Sequence, residues 1–239
     1  CIRDRSLPVA ERLGRACFCG NVELANVQIP NVKYIGEGAF SNCSNLTEMD
    51  LSNVSELGAM AFYMYEDAPK SQLKKVILPN GITSIQSTFD RCVSLTELNM
   101  PTNLKSISMF NVGLTSIVLP EGLTTINQLS SSSFTTISIP STVTSISNSA
   151  FRSCSSLKDL YCYSVLPINT KAFNTDYDSY YALNPSGITL HVLFRAVQVV
   201  SDVFCSNRST TTISTCASVP RISSSVIAAI FSCTGSLVY

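Results

Sequence analysis

VQIPNVKYIGEGAFSNCSNL, from Val27 to Leu46, returns twice with its landmarks in place, as VILPNGITSIQSTFDRCVSL from Val76 to Leu95 and as ISIPSTVTSISNSAFRSCSSL from Ile137 to Leu157. Each begins inside a shorter phrase, apolar-x-x-apolar-x-apolar, that occurs seven times: LANVQI from Leu24, LTEMDL from Leu46, LKKVIL from Leu73, LTELNM from Leu95, LTSIVL from Leu114, FTTISI from Phe134 and LKDLYC from Leu157. Successive starts lie 22, 27, 22, 19, 20 and 23 residues apart. A near-constant period in the twenties means stacked units, each burying its apolar face against its neighbours, which is the logic of a solenoid.

The rest of the unit gives the coil its corners. Pro30, Pro79, Pro101, Pro120 and Pro140 directly follow the short strand; proline cannot donate to a ladder, so it marks where pairing stops and the chain turns. An apolar pair three apart then returns to the core, as in Val32 and Ile35 or Ile82 and Ile85. A small-plus-aromatic step follows in Ala39-Phe40, Ala61-Phe62, Thr88-Phe89, Ala150-Phe151 and Ala172-Phe173, and the Phe row is expected to stack as a column under the outer wall. Side chains alternate across a strand, so the fourth and sixth phrase positions face in and the third and fifth face out. The outward pairs are Asn26 and Gln28, Glu48 and Asp50, Lys75 and Ile77, Glu97 and Asn99, Ser116 and Val118, Thr136 and Ser138, and Asp159 and Tyr161. Parallel strands in register would set Glu48, Lys75 and Glu97 side by side, an alternation of sign that favours this stacking by about 0.2–1 kcal/mol per pair.

Composition narrows the function. The chain has 239 residues, 45% of them apolar, and a formal net charge of zero with 13% charged residues. That is ample core for one elongated domain, and it leaves no broad basic surface for nucleic acid. No apolar run approaches the roughly 20 residues a bilayer-spanning helix needs; the stretch from Val226 to Val238 is broken by Ser232, Thr234, Gly235 and Ser236. The chain starts without Met or a recognisable signal sequence, so any targeting segment is expected to lie outside it.

The phrase resembles a leucine-rich repeat, and "IPNVKYIGEGAFSNCSNL" and "IPSTVTSISNSAFRSCSSL" resemble the BspA-like subfamily, in which Pro, Ala-Phe and Cys recur together in phase. The resemblance covers Leu24 to about Phe173. It implies an α/β, β-rich solenoid: a right-handed curved array with a parallel concave β-sheet and short irregular or helical outer segments. It also implies a secreted or cell-surface protein of a host-associated microbe, similar to adhesins. The second unit departs from the pattern in its longer outer segment "FYMYEDAPKSQL", with Tyr65 near the usual Cys position, and the Leu104 and Leu123 units lack both Ala-Phe and Cys. These thinner units are expected to bend the array or to dent its outer wall.

Residues 1–23 read as a degenerate N-terminal cap repeat, in which Leu13-Gly14 and Cys19 echo Ile35-Gly36 and Cys43, with Cys1 as a lipid-bearing residue the other reading of that end. Residues 24–192 read as the solenoid, "GITLHV" (Gly187 to Val192) being its last strand, and residues 193–239 remain unassigned between a cap or strand-rich tail, a piece of a following domain and an altered reading frame. Cys43, Cys92 and Cys154 hold one position of non-adjacent units, beyond the reach of about 7 Å between Cα atoms that a disulfide allows, so they read as buried thiols. Cys162 faces inward; Cys17-Phe18-Cys19 is a single close pair without the second cluster of a zinc site, and the pairing of Cys1, Cys205, Cys216 and Cys233 stays open. His191, the sole histidine, has no nucleophile motif nearby and reads as a surface-strand residue, while Glu66, Asp67, Asp176 and Asp178 lack metal-loop spacing. The expectation is a non-enzymatic module without cofactor or metal that holds a protein or glycan partner on Glu48, Asp50, Lys75, Ile77, Glu97, Asn99, Val118 and Tyr161. The other reading is a structural stalk segment of a larger surface protein, and the oligomeric state is left open.

Overall fold

The computed structural model describes residues 4–164, Ala172, Thr189–Val192, Thr212–Thr215 and Leu237–Val238. The chain winds as a parallel β-solenoid in which every phrase becomes a strand of two to four residues on one wall: Asn26–Gln28, Glu48–Asp50, Lys75–Ile77, Glu97–Leu98, Ser116–Val118, Thr136–Ile139 and Asp159–Cys162. Among the described residues all strand pairings are parallel, and none is shifted on this wall. Asp4 meets Asn26, Glu48 meets Lys75, Lys75 meets Glu97, Ser116 meets Thr136 and Thr136 meets Asp159. Pairing runs on through Thr189–Val192, Thr212–Thr215 and Leu237–Val238, past residue 192. The segment before Leu24 is a coil in the same register, with Asp4–Ser6 on Asn26–Gln28 and Arg12–Leu13 on Tyr34–Ile35.

A second wall forms after the proline corner, where the apolar pair three apart places Ile35 on Leu57, and Ile85, Ile107, Ile126 and Ile146 in one row. Met49, Leu51, Val76, Leu78, Ile117, Ile137, Ile139 and Leu160 from the first wall are buried against them. Leu98 is the half-buried member of its column.

The outer wall differs from its expected form. Among the described residues it contains no α-helix, so the α/β assignment and the helical outer segments do not hold. The reason is local. Left-handed residues stand two before and two after the column residue, as Ala16 and Gly20 around Phe18, Gly38 and Asn42 around Phe40, Ser87 and Arg91 around Phe89, and Ser149 and Ser153 around Phe151. A left-handed residue ends a right-handed helix, and the stretch between two of them is too short to nucleate one. What they permit is a tight turn whose central N–H reaches the next coil: Phe18 N–H donates to Ala39 O, Phe40 N–H to Ala61 O and Phe62 N–H to Thr88 O.

The aromatic column forms as expected and includes Phe18. Ring centroids of Phe18, Phe40, Phe62 and Phe89 are 5.3, 5.2 and 5.5 Å apart, stacked within 14°. In the two thin units the wall is filled rather than dented. There the second-wall strands lengthen to Ser106–Phe110 and Thr125–Ser130, and Met109 and Leu129, paired and fully buried, take the aromatic positions. Phe173 lies outside the described residues.

Asp90 sits at the junction between turn-like and strand-like outer wall. It is buried, and its carboxylate accepts the Phe110 N–H at 2.8 Å. Burial pushes its pKa above the usual carboxylate value, against hydrogen bonds from Ser87 and Phe110 and the charge of Arg91. An acid whose folded pKa is raised adds stability that is complete below the unfolded pKa and is lost as pH rises through the folded one. Asp90→Asn keeps an oxygen for the Phe110 N–H and removes the charge. The variant should therefore be more stable than the parent at neutral pH, with an advantage that shrinks as pH falls toward the ordinary carboxylate pKa; urea unfolding across that pH range checks both.

Candidate functional site

The outward residues of the phrase strands form two rows across the first wall, which among the described residues is laddered as three sheets with breaks after Asn26–Gln28 and after Glu97–Leu98. One row runs Asp4, Asn26, Glu48, Lys75, Glu97, Ser116, Thr136, Asp159, Thr189; the other runs Ser6, Gln28, Asp50, Ile77, Asn99, Val118, Ser138, Tyr161, His191. All eight residues expected to bind are on this face, though they are not equally available.

Glu48 is exposed and has no hydrogen-bond or ion-pair partner among the described residues. Asp50 accepts the Ser52 N–H at 2.9 Å, and the Ser52 hydroxyl and N–H hold its pKa below the usual carboxylate value. Lys75 lies 3.4 Å from Glu97, both well exposed, so the pair contributes roughly 0–1 kcal/mol. Ile77 and Val118 are 40% and 72% exposed, aliphatic side chains left in water on a wall whose other face is packed.

Asn99 is committed to the fold. In three other coils the residue after the strand donates its N–H to the backbone carbonyl of the next coil, Leu7 to Gln28, Leu51 to Ile77 and Leu119 to Ser138. At Leu78 the Asn99 side chain replaces that bond: its Oδ1 accepts the Leu78 N–H at 2.7 Å and its Nδ2 donates to Leu78 O at 2.8 Å. The strand Glu97–Leu98 is correspondingly short.

At the other end of the face Tyr161 stacks flat on His191, centroids 4.1 Å apart and planes within 8°, and His191 Nε2 lies 3.0 Å from Asp159 Oδ1. The histidine is thus a strand residue held by its neighbours, with its side chain 17% exposed.

Two hollows open at the N-terminal end of the face. One, of about 620 Å³, is lined by Asp4, Arg5, Ser6, Asn26, Val27, Gln28 and Glu48; the other, of about 320 Å³, lies between Gln28, Pro30, Asp50 and Asn53. Asp4 and Ser6 were not among the expected site residues, because the phrase is unrecognisable there. The signal that would have found them is Leu7-Pro8, which stands one period, 22 residues, before Ile29-Pro30.

The cysteines have a defined role. Cys43, Cys92 and Cys154 are buried, and each thiol donates to the carbonyl of the preceding coil's column residue, Phe18, Phe62 and Leu129, at 3.1, 3.3 and 3.4 Å. Burial pushes their pKa values up to about 12, 12 and 11, so they stay as thiols. Cys162 is raised to about 11 for the same reason. Cys17 and Cys19 are exposed free thiols; Cys1, Cys205, Cys216 and Cys233 lie outside the described residues. Among the described residues no group of three or more His, Cys, Asp or Glu could hold a metal ion, and no helix is long and apolar enough to cross a membrane.

With the pairing, the column and the in-phase thiols in place, comparison with known families is decisive: the BspA type leucine rich repeat region matches in 6 copies, over residues 11–130 and 108–189. The chain belongs to the BspA-type leucine-rich repeat family. Membership suggests a protein-interaction or scaffold module. None of the curated proteins matches the chain. Among solved structures, a leucine-rich repeat protein from Bacteroides ovatus ATCC 8483 is 21% identical, with TM-score 0.42; the match covers 69% of this chain and 56% of that one. In this BspA-type array the third and fifth phrase positions carry the variable chemistry, Asn99 excepted, while the fourth, the sixth and the thiol position carry the fold.

Asn99→Ala should leave the Leu78 N–H and C=O without their protein partners and lower stability by about 1 kcal/mol, read as a shift of the urea midpoint. The same change in the neighbouring outward residue, Glu97→Ala, should cost less, within the roughly 0–1 kcal/mol of an exposed ion pair, and move the midpoint correspondingly less.

Proposed function

We propose that this chain is a non-enzymatic binding module, adhesin-like and exposed at the cell surface or secreted, whose phrase-strand face holds a protein or glycan partner. The observation that carries the reading is the contrast between the two sides of one wall. After the first coil the inward positions are apolar and mostly buried, with Val27, Leu98 and Met100 half-buried, whereas the outward positions in the same strands hold carboxylate, ammonium, exposed aliphatic and stacked aromatic groups. Fold alone does not require Val118 to stand 72% exposed or Glu48 to stand without a partner. A rigid backbone bearing varied side chains in fixed rows gives a partner groups that need no reordering, which lowers the cost of association. Family membership supports the surface location, and thiols that stay protonated and buried fit an oxidising exterior as well as any other compartment.

Capture of the full chain by immobilised host extracellular matrix tests this. Tyr161→Ala and Glu97→Ala should each lower capture, while moving the melting midpoint by no more than a few degrees, since one aromatic stack and one exposed ion pair are each worth about 1 kcal/mol or less. Unchanged capture in both variants would remove the face from the binding role.

A further inference from the structure

We infer that the partner of the phrase-strand face is a basic protein segment that also carries apolar side chains, lying across the strands with its cations at the N-terminal end; this rests on the reading above that the face binds a partner.

The charge of the face differs from that of the chain. The protein as a whole is neutral, yet its two described outward rows hold five carboxylates, Asp4, Glu48, Asp50, Glu97 and Asp159, against one ammonium, Lys75. That ammonium is already met by Glu97. The imbalance is greatest toward the first coils, where Glu48 has no partner and Asp50 keeps its charge through Ser52. Arg5 is the one cation lining either hollow there. A field of one sign attracts the opposite sign and rejects its own, so cationic segments are drawn in while sulfated or sialylated glycans and nucleic acid are repelled.

The same rows then change character. Ile77 is the strand neighbour of Asp50, and Val118 follows two strands further on in that row. Exposed aliphatics beside a charged patch give a partner an apolar anchor, and burying them releases water that a purely ionic contact would retain. From the Glu48 strand to the Glu97 strand is two ladder steps, about 10 Å at the usual strand spacing, and the Val118 strand lies one coil further on, so a short extended segment can cover the distance. Charge complementarity at one end and exposed aliphatics at the other thus select a mixed basic and apolar peptide over a neutral sugar, which would make little use of either.

Fluorescence anisotropy of short labelled peptides against the full chain decides the matter. The probes are a lysine–leucine peptide, a lysine–serine peptide and a glutamate–leucine peptide, with a neutral chitin oligosaccharide as unlabelled competitor. The lysine–leucine peptide should bind best, at least about tenfold tighter than the glutamate–leucine one, and should weaken as salt rises. Glu48→Lys should cost it about tenfold, and Val118→Ser should cost it several-fold while leaving the lysine–serine peptide unmoved. Glu48→Gln, at a site with no partner to lose, guards against a folding artefact and should give a smaller loss in the same direction. Equal binding of the basic and acidic peptides, displacement by the oligosaccharide, or indifference to Glu48→Lys would each overturn the inference. If that happens while Tyr161→Ala still lowers matrix capture, the binding face stands with a different partner; if neither assay responds to any change on the face, both readings fall.

Discussion

Every element here depends on one constraint: a backbone coil must leave its N–H and C=O groups where the next coil can meet them, at the fixed spacing of a parallel ladder. Parallel strands sit about 4.8 Å apart, and everything between the walls has to repeat at nearly that interval. The phenylalanine rings do so, stacked at 5.2–5.5 Å between centroids. The outer turns do so because left-handed residues at both ends aim a central N–H along the stack. The thiols of Cys43, Cys92 and Cys154 do so by donating one coil back. Glycine enters where successive coils come closest: a Cβ on Gly36 or Gly58 would fall 2.7 or 2.5 Å from backbone of the preceding coil.

The constraint acts on position and leaves side-chain identity partly free. Met109 and Leu129 replace phenylalanine in adjacent coils because a longer extended strand brings them to the same place, where both are fully buried. The longer second unit spends its extra residues outside the stack, where Tyr63 and Tyr65 meet edge to face and Glu66 reaches Arg91 at 3.4 Å. Asp90 shows the cost of a change in wall geometry: the Phe110 N–H at the start of the new arrangement is satisfied by a buried carboxylate.

This separation explains what the sequence made legible. The period, the proline corners and the inward positions were readable because each recurs, and recurrence in a solenoid means contact: Met49 on Val76 and Ile117 on Ile137 follow directly from phase. The helical outer segments were not readable as absent, because Ala-Phe and Cys spacing looks helical until the left-handed φ values of Asn42, Arg91 and Ser153 are seen. Asn99 looked available because its strand position faces out, and only the geometry at Leu78 shows both ends of its amide in use. Asp4 and Ser6 were hidden because a first coil with Arg5 at an inward position breaks the apolar phrase while keeping its register. The candidate face was thus legible as a list of outward residues and illegible as to which of them are spent on the fold.

The binding argument inherits its rigidity from the column and the ladder beneath it, so the stacking order is the claim to measure. Nuclear Overhauser contacts in a sample labelled only at phenylalanine ring protons report it directly. The structure predicts ring-to-ring contacts from Phe40 to Phe18 and to Phe62, from Phe62 to Phe89, and none from Phe40 to Phe89. A contact between Phe18 and Phe89, or the loss of the Phe40–Phe62 contact in the folded protein, would contradict coil-by-coil stacking and the face built on it.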